Sequence, residues 1–417
     1  MTKLCFVFGL LMALFCSNRL QAQEDEILEI VSGPMYGHFT DSTQHFWLAA
    51  AADAYKTPYQ NWLPNFNEEV YAYFTEQTDY EVKEILQSTL ANKKYILISG
   101  VLRKKKNNSL GRDISFLVGS CAMKVPMPPL FFNKKRERIF ETMTRHDKDF
   151  MVWLGDNVYY WSGQWKTKKK MHKKNMEARL NPRIINFLTS CPQYAIWDDH
   201  DYGPNNSGAN YSGKYNSLDI FESYWANPSY GTDSVAGVFN HFSHGDADFF
   251  MVDGRFHAED GKTLWGDAQT QWLEEKLKAS TANFKFILTG TQIISDGLGE
   301  DMGDYADSRD SFYTFLEREK ISGVIIISGD RHYGELMKLN RKNSYPIYEM
   351  TTSPLTSFIN PAYARVSAVR QDKVILQPNF GKVHLFGNEN NRKCRLELYD
   401  ALGNKLWIVD IPLSELK

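Results

Sequence analysis

Five short apolar runs of this sequence stop at the same kind of punctuation. ISFLVG runs into Ser120-Cys121, and DFMVWLG into Asp156, with Tyr159 three residues on. YAIW meets Asp198-Asp199-His200-Asp201, FKFILTG meets Thr291-Gln292, and GVIIISG meets Asp330-Arg331-His332. Four of the five carry a glycine just before the polar group, where the backbone must turn sharply. A thiol, a phenol, several carboxylates, an amide and two imidazoles are metal-ligand types. Gathering so many carboxylates away from water without cations is unfavourable, because like charges repel and desolvation is costly. Thiolate and phenolate suit a strongly Lewis-acidic ion such as iron; carboxylates alone suit calcium, magnesium or manganese. Each run taken singly has a plainer explanation. A Gly-Asp after a strand is commonly a turn, a lone cysteine a small buried hydrophobe, and an acidic trio a solvated loop. The repetition at five run ends is what argues for a shared site.

Those ends meet only if the runs are neighbouring strands. From Ile114 onward, continuous runs of Val, Ile, Leu and Phe alternate with helical patterns such as NKKRERIFETMTRH and DAQTQWLEEKLKAS. That alternation predicts an α/β fold with a largely parallel sheet buried on both faces. Sites in such sheets form outside the carboxyl ends of the strands. VFNHFSHGDADFFMVDGR reads as two adjacent strands around Gly245-Asp246, and the last thirty-odd residues as a hairpin turning at Gly403-Asn404. Residues 27–108 read as a small β domain. GHFTDSTQHFWLAAAA, EEVYAYFTE and KKYILISGVLRK are its strand-like runs, and Asp79 to Asn92 is a candidate short helix. The charged connector Lys104 to Asp113 marks the boundary with a second domain, 114–417.

The 417 residues are 43% hydrophobic and carry a formal net charge of -2, enough for a large core and too neutral for a nucleic-acid platform. Lys3, the apolar run Leu4 to Phe15 and the small Ala22 read as a signal peptide over residues 1–22, too short for a stable membrane span. The chain is therefore expected to be exported, either periplasmic or secreted. Of the five cysteines, Cys5 and Cys16 fall in that leader, and the odd number left implies no disulfide framework. The basic run Lys166 to Arg179 is either a steering patch for anionic substrates or a solvated helix face. The acidic, Gly-containing run Ser295 to Asp310 reads as a mobile loop, with a lid or calcium loop as alternatives. His241, His244 and His257 are expected to be structural.

GSC, GDNVYY, WDDHD, GTQ and SGDRH, in that order, resemble the alkaline phosphatase D (PhoD-like) family of calcineurin-like metallophosphoesterases. The resemblance covers most of the chain from Ile114. It implies a four-layer α/β/β/α sandwich preceded by a small Ig/fibronectin-like β-sandwich. By the same resemblance, Asp156 would bridge metals, and Tyr159 and Cys121 would bind iron. Asp199, Asp330 and His332 would complete an oxygen-rich site for iron with calcium, other divalent metals being alternatives. Gln292 falls near a ligand position of the wider superfamily. His200 would protonate the leaving group. Arg255, Arg331, Asn157 and Asn205 are candidate phosphate contacts, guanidinium matching phosphate in a bidentate way, with an ion pair to Asp253 or a neighbouring strand as the equal alternative for Arg255.

The activity so implied is hydrolysis of small-molecule or lipid phosphate esters by metal-activated hydroxide, with His200 and Asp156 central to catalysis. Three rivals remain at this stage. One is a phospholipase D-type phosphodiesterase acting on lipids. Another is a non-catalytic exported binding protein with a decayed metal site. The last is a hydrolase using Cys121 as nucleophile, which the surplus of aspartates disfavours.

Overall fold

The structure is a computed structural model. It describes residues 21–22, 26–27, 29–52, 59–92, 94–105, 111, 113–122, 136–295, 299–361, 367–371 and 374–417. The expected signal segment up to residue 20 lies outside them.

Two six-stranded mixed sheets stack face to face. In the first, the parallel strands Ile114–Gly119, Phe150–Leu154 and Gln193–Ile196 lie side by side. The sheet is extended by an antiparallel meander of Asn379–Phe386, Lys393–Asp400 and Lys405–Pro412. The second sheet has Ala247–Met251, Phe284–Leu288, Val324–Ser328 and Ile347–Thr351 in parallel, with antiparallel edges at Asn240–His244 and Glu335–Leu339. The central strands are buried at every residue, which explains their unbroken apolar sequence. Aromatic rings from both sheets make the contact between them: Phe116 meets Phe249 and Phe286 edge-on, each at 5.3 Å between centroids. The helix Arg138–Arg145 and the helix Gly266–Ala279 form where the apolar spacing predicts them.

The expected N-terminal β region is present as one antiparallel four-stranded sheet of Ile30–Phe39, Thr43–Ala51, Tyr95–Lys104 and Tyr80–Ala91. Among the described residues a helix, Tyr59–Gln77, covers its outer face instead of a second sheet. Strand alternation divides the work. Phe46, Leu48 and Ala50 pack with Val70 and Phe74 of that helix. Trp47 and Ala49, on the other face, join the core of the large sandwich. Two local expectations are corrected here. EEVYAYFTE is helical, because Val70 and Phe74, four residues apart, share the buried face. Asp79 to Asn92, expected as a helix, holds the edge strand Tyr80–Ala91. Register shifts at Val82/Glu84 and Ile85/Gln87 break its alternation, so the strand period is hidden in the sequence.

The basic run becomes the helix Lys168–Arg179, capped by Thr167. Its Arg179 is buried, with the guanidinium over the rings of Trp47, Tyr224 and Trp225, and so ties the N-terminal sheet to the sandwich. The acidic run is more ordered than the expected loop. From Met302 it is helical, first as a short 3-10 turn to Tyr305 and then as the helix Ala306–Arg318. Cys121, Cys191 and Cys394 are all buried and free, so the last two do not pair.

Candidate metal centre

The five strand ends do converge, but between two sheets and not along the edge of one. Cys121, Asp156 and Asp198-Asp199-His200 leave the first sheet; Gln292, Asp330 and His332 leave the second. Donor atoms of Cys121, Asp156 and His332 lie within 4.8 Å of one another, as do those of Asp156, Asp199 and His200, and those of Asp198, Asp199 and Asp330. Cys121 Sγ is 3.6 Å from Asp156 Oδ2. The Tyr159 hydroxyl is 3.4 Å from His332 Nε2, and its ring stacks on that of His200 at 4.3 Å.

Close approach explains the glycines. A Cβ on Gly290 would sit 2.8 Å from Asp198 Cγ, and one on Gly155, whose φ is +88, 2.6 Å from Asp198 Cβ. The residues after the strands turn just as sharply. Nine non-glycine residues have positive φ among the described residues, and six of them are at this site: Cys121, Asp156, Asn206, Glu300, Asp330 and His332. Such conformations are strained for L-residues and concentrate where function holds them.

The loops are cross-braced by Asp201. Its carboxylate accepts from the backbone N–H of Asp156, Asn157 and Asp198 and from the Asn157 side chain. Ser353 bridges two of these residues, accepting from the His332 N–H at 2.9 Å and donating to Cys121 Sγ at 3.2 Å.

Burial and mutual repulsion push the carboxyls of Asp156 and Asp330 well above the usual range. Burial would also raise Asp199, but Arg255 and His200 outweigh it and hold that group below its ordinary value. Burial pushes the Cys121 thiol up, with Asp156 and Asp330 adding to the effect. Burial pushes His332 down to about 4, which keeps its imidazole in the neutral, metal-binding form near neutral pH. Two buried carboxylate oxygens, Asp198 Oδ2 and Asp199 Oδ1, have no hydrogen-bond partner among the described residues. A cluster with this much negative charge and orphaned acceptors suits cations: thiolate, phenolate and imidazole toward Cys121, carboxylates toward Asp199 and Asp330.

A cleft of about 110 Å³ opens on this cluster, lined by His200, Asn205, Asp330, Arg331, His332 and Phe358 among others. Larger cavities of about 330 and 640 Å³ lie beside the N-terminal sheet, with none of these ligands in their walls. The second holds the exposed Lys169, Lys170 and Lys173, so these lysines face that groove.

Several expectations need correction. Arg255 is not a free phosphate clamp: its Nε donates to Asp198 Oδ1, with the pair 12% and 1% exposed. Its own backbone, with Val238, Phe256 and the Trp197 indole, is held by Asp253. The Asn157 amide is committed to the Ile196 carbonyl and to Asp201. Gln292 donates to Glu335 and Thr351, which ties it to the neighbouring strands. Arg331 and Asn205 do line the cleft, Arg331 reaching the Gly299 carbonyl at 2.6 Å. His244 bonds Tyr194, His257 the Ala236 carbonyl, and His241 faces Asp248, all structurally. The sequence reading missed Ser353, although Ile347–Thr351 is a further parallel strand ending in a polar run. It lacked the glycine and charge that drew attention to the others.

The pattern of the PhoD-like phosphatases matches residues 116–400, most of the chain. The chain belongs to that family. Membership implies a phosphoric ester hydrolase. A solved structure described as PhoD has a TM-score of 0.63 and 13% identity, over 89% of this chain and 91% of that one. Purple acid phosphatase PPD1 from yellow lupin (Lupinus luteus) seeds has a TM-score of 0.61 and 10% identity, over 91% of this chain and 74% of that one. At such identities these two likenesses establish the shared metallophosphoesterase fold. No curated protein matches the sequence significantly.

Proposed function

We propose that this PhoD-like phosphatase is an exported, metal-dependent phosphoesterase. Cys121, Asp156, Tyr159, Asp199, Asp330 and His332 hold iron with calcium, and His200 acts as general acid. One observation carries the reading: six ligand-type side chains and a histidine, from four separate strand ends, crowd together with buried carboxylate oxygens left unpaired. Ions bound there lower the pKa of water and neutralise charge on the phosphoryl group. The residues of the chain divide the remaining work. His200 lines the cleft with its ring stacked on Tyr159, placed to donate a proton to the leaving oxygen. Arg331 and Asn205 contact the phosphoryl oxygens from the cleft wall. Arg255 pairs with Asp198 and offsets part of the burial that raises that carboxyl. The leader-like residues Lys3 and Leu4 to Phe15 support export.

Elemental analysis of the purified protein, paired with hydrolysis of mono- and diester substrates with and without chelator, tests the assignment. We expect bound metal, and turnover that chelation abolishes. His200→Ala should keep its metal while kcat falls by about 10²–10⁴. Unchanged turnover in that variant removes the general-acid role, and a metal-free, inactive wild type removes the whole reading.

A further inference from the structure

Four aromatic side chains are exposed among the described residues, and two of them rest on the two histidines of the cleft. Trp161, 38% exposed, lies with its ring 5.4 Å from that of His200 and stacks on Tyr159 at 5.9 Å. Phe358, 39% exposed, meets His332 edge-on at 4.3 Å and lines the cleft. Large apolar rings left in water beside a polar cleft call for an explanation that scattered surface residues do not. The cleft itself, about 110 Å³, is well below the roughly 300–1,000 Å³ that encloses a whole organic ligand. It has room for a phosphoryl group, so the rest of any substrate must lie on the rim. If His200 protonates the leaving oxygen, the group attached to that oxygen lies beside the His200 ring and therefore beside Trp161.

We infer that Trp161, beside His200 just outside the cleft, and Phe358, on the cleft wall, select phosphate esters whose leaving group is a planar aromatic. This rests on the phosphoesterase reading above and adds the class of leaving group. Offset or edge-on stacking against a ring contributes a modest but measurable preference. Trp161 is then a specificity residue that touches the leaving group, and Phe358 its counterpart on the His332 side.

The test uses the full-length, metal-loaded protein and paired phenyl and methyl phosphate esters, mono- and diesters alike. The measured quantity is selectivity, the ratio of kcat/KM for phenyl to that for methyl. In Trp161→Ala it should fall by about 3- to 10-fold, and in Trp161→Phe it should be largely retained. Phe358→Ala, at an exposed position, should lower it in the same direction. The sign separates this from bracing of His200. A poor alkoxide leaving group depends on the general acid more than a phenoxide does, so a disturbed His200 would raise the ratio. An independent readout is calorimetric binding of phenylphosphonate and methylphosphonate. The wild type should prefer the phenyl compound, and Trp161→Ala should lose the preference. Selectivity that stays level or rises in both alanine variants overturns the inference and leaves the phosphoesterase reading standing. A wild type that turns over none of the esters overturns that reading, and the inference with it.

Discussion

At Arg255 the sequence leaves a phosphate contact and an ion pair open, the structure shows a pair with Asp198, and a substitution distinguishes the two jobs. The guanidinium is paired with Asp198, a side chain 1% exposed, whose other oxygen has no hydrogen-bond partner among the described residues. Replacing Arg255 by methionine keeps most of the volume and removes the charge. It leaves Asp198 buried beside Asp199 and Asp330, which lie in the same cluster. Breaking a buried pair by removing one partner costs about 3–5 kcal/mol, most of it the uncompensated charge left behind. The like-charged neighbours put this site toward the upper end, about 4 kcal/mol in metal-free protein. A chain of 417 residues has an unfolding entropy of roughly 0.9 kcal/mol/K near its midpoint, so Arg255→Met should lower Tm by about 4–5 °C under chelator. Adding Asp198→Asn removes the orphaned charge and should recover at least half of that loss, a coupling read from the double-mutant cycle. The assay is thermal unfolding of the four proteins, with kcat/KM for a phosphate ester measured in parallel. A phosphate clamp would behave otherwise: Tm within about 1 °C of wild type, and a kcat/KM deficit that Asp198→Asn does not relieve. That result would refute the structural role.

Glu349 offers a test at a residue outside the ligand set. Burial raises its carboxyl from 4.5 to about 7, although it accepts hydrogen bonds from the backbone N–H of Ile293 and Ile294. The folded protein therefore binds this proton more tightly than the unfolded chain. The associated stability is complete below pH 4.5 and is lost as pH rises through about 7. Relative to Glu349→Gln, the wild type should lose about 3 kcal/mol between those limits, and parallel denaturation curves across the range would show the idea mistaken. Gly290→Ala places a methyl group 2.8 Å from Asp198 Cγ, and Arg255 prevents that carboxyl from swinging away. We expect a loss of about 1–3 kcal/mol with reduced metal content; a fully loaded variant of wild-type stability would contradict the packing argument.

The sandwich was legible because its strands are buried on both faces and spell themselves as unbroken apolar runs. The site was legible because each run ends in ligand chemistry. Convergence from two stacked sheets instead of one was not readable from strand ends alone, since sheet partners are set by long-range pairing that local pattern does not encode. The N-terminal region was harder for a related reason. Tyr80–Ala91 is an edge strand with two register shifts, so its period is lost. In the helix Tyr59–Gln77, Val70 and Phe74 are the core residues among the described side chains, a spacing that the reading of EEVYAYFTE as a strand overlooks. Arg255 stayed open between two jobs because VDGR shows an arginine near a strand end but not that Asp198, 57 residues earlier, already holds it.

Backbone strain and ligand chemistry at this site have a common origin. A residue that simply continued a strand would direct its side chain onto one face of its own sheet, into the apolar core. Turning into the left-handed region immediately after the strand points it instead into the space where two sheets' ends meet. Cys121, Asp156, Asp330 and His332, with φ between 56 and 61, all use this device. Each such residue costs of order 1–2 kcal/mol relative to an ordinary turn, and glycine would relieve it. Glycine cannot coordinate a cation, however. The glycines therefore stand one residue earlier at Gly155 and Gly329, and the ligand itself takes the strained place. Strain at four ligands and repulsion among their carboxylates both destabilise the metal-free fold, and bound cations directly offset only the repulsion. The backbone strain must be balanced by the packing of the strands behind the site, whose central residues are buried throughout. A rigid, apolar sandwich is thus what allows so polar and so bent a set of loops to hold one shape.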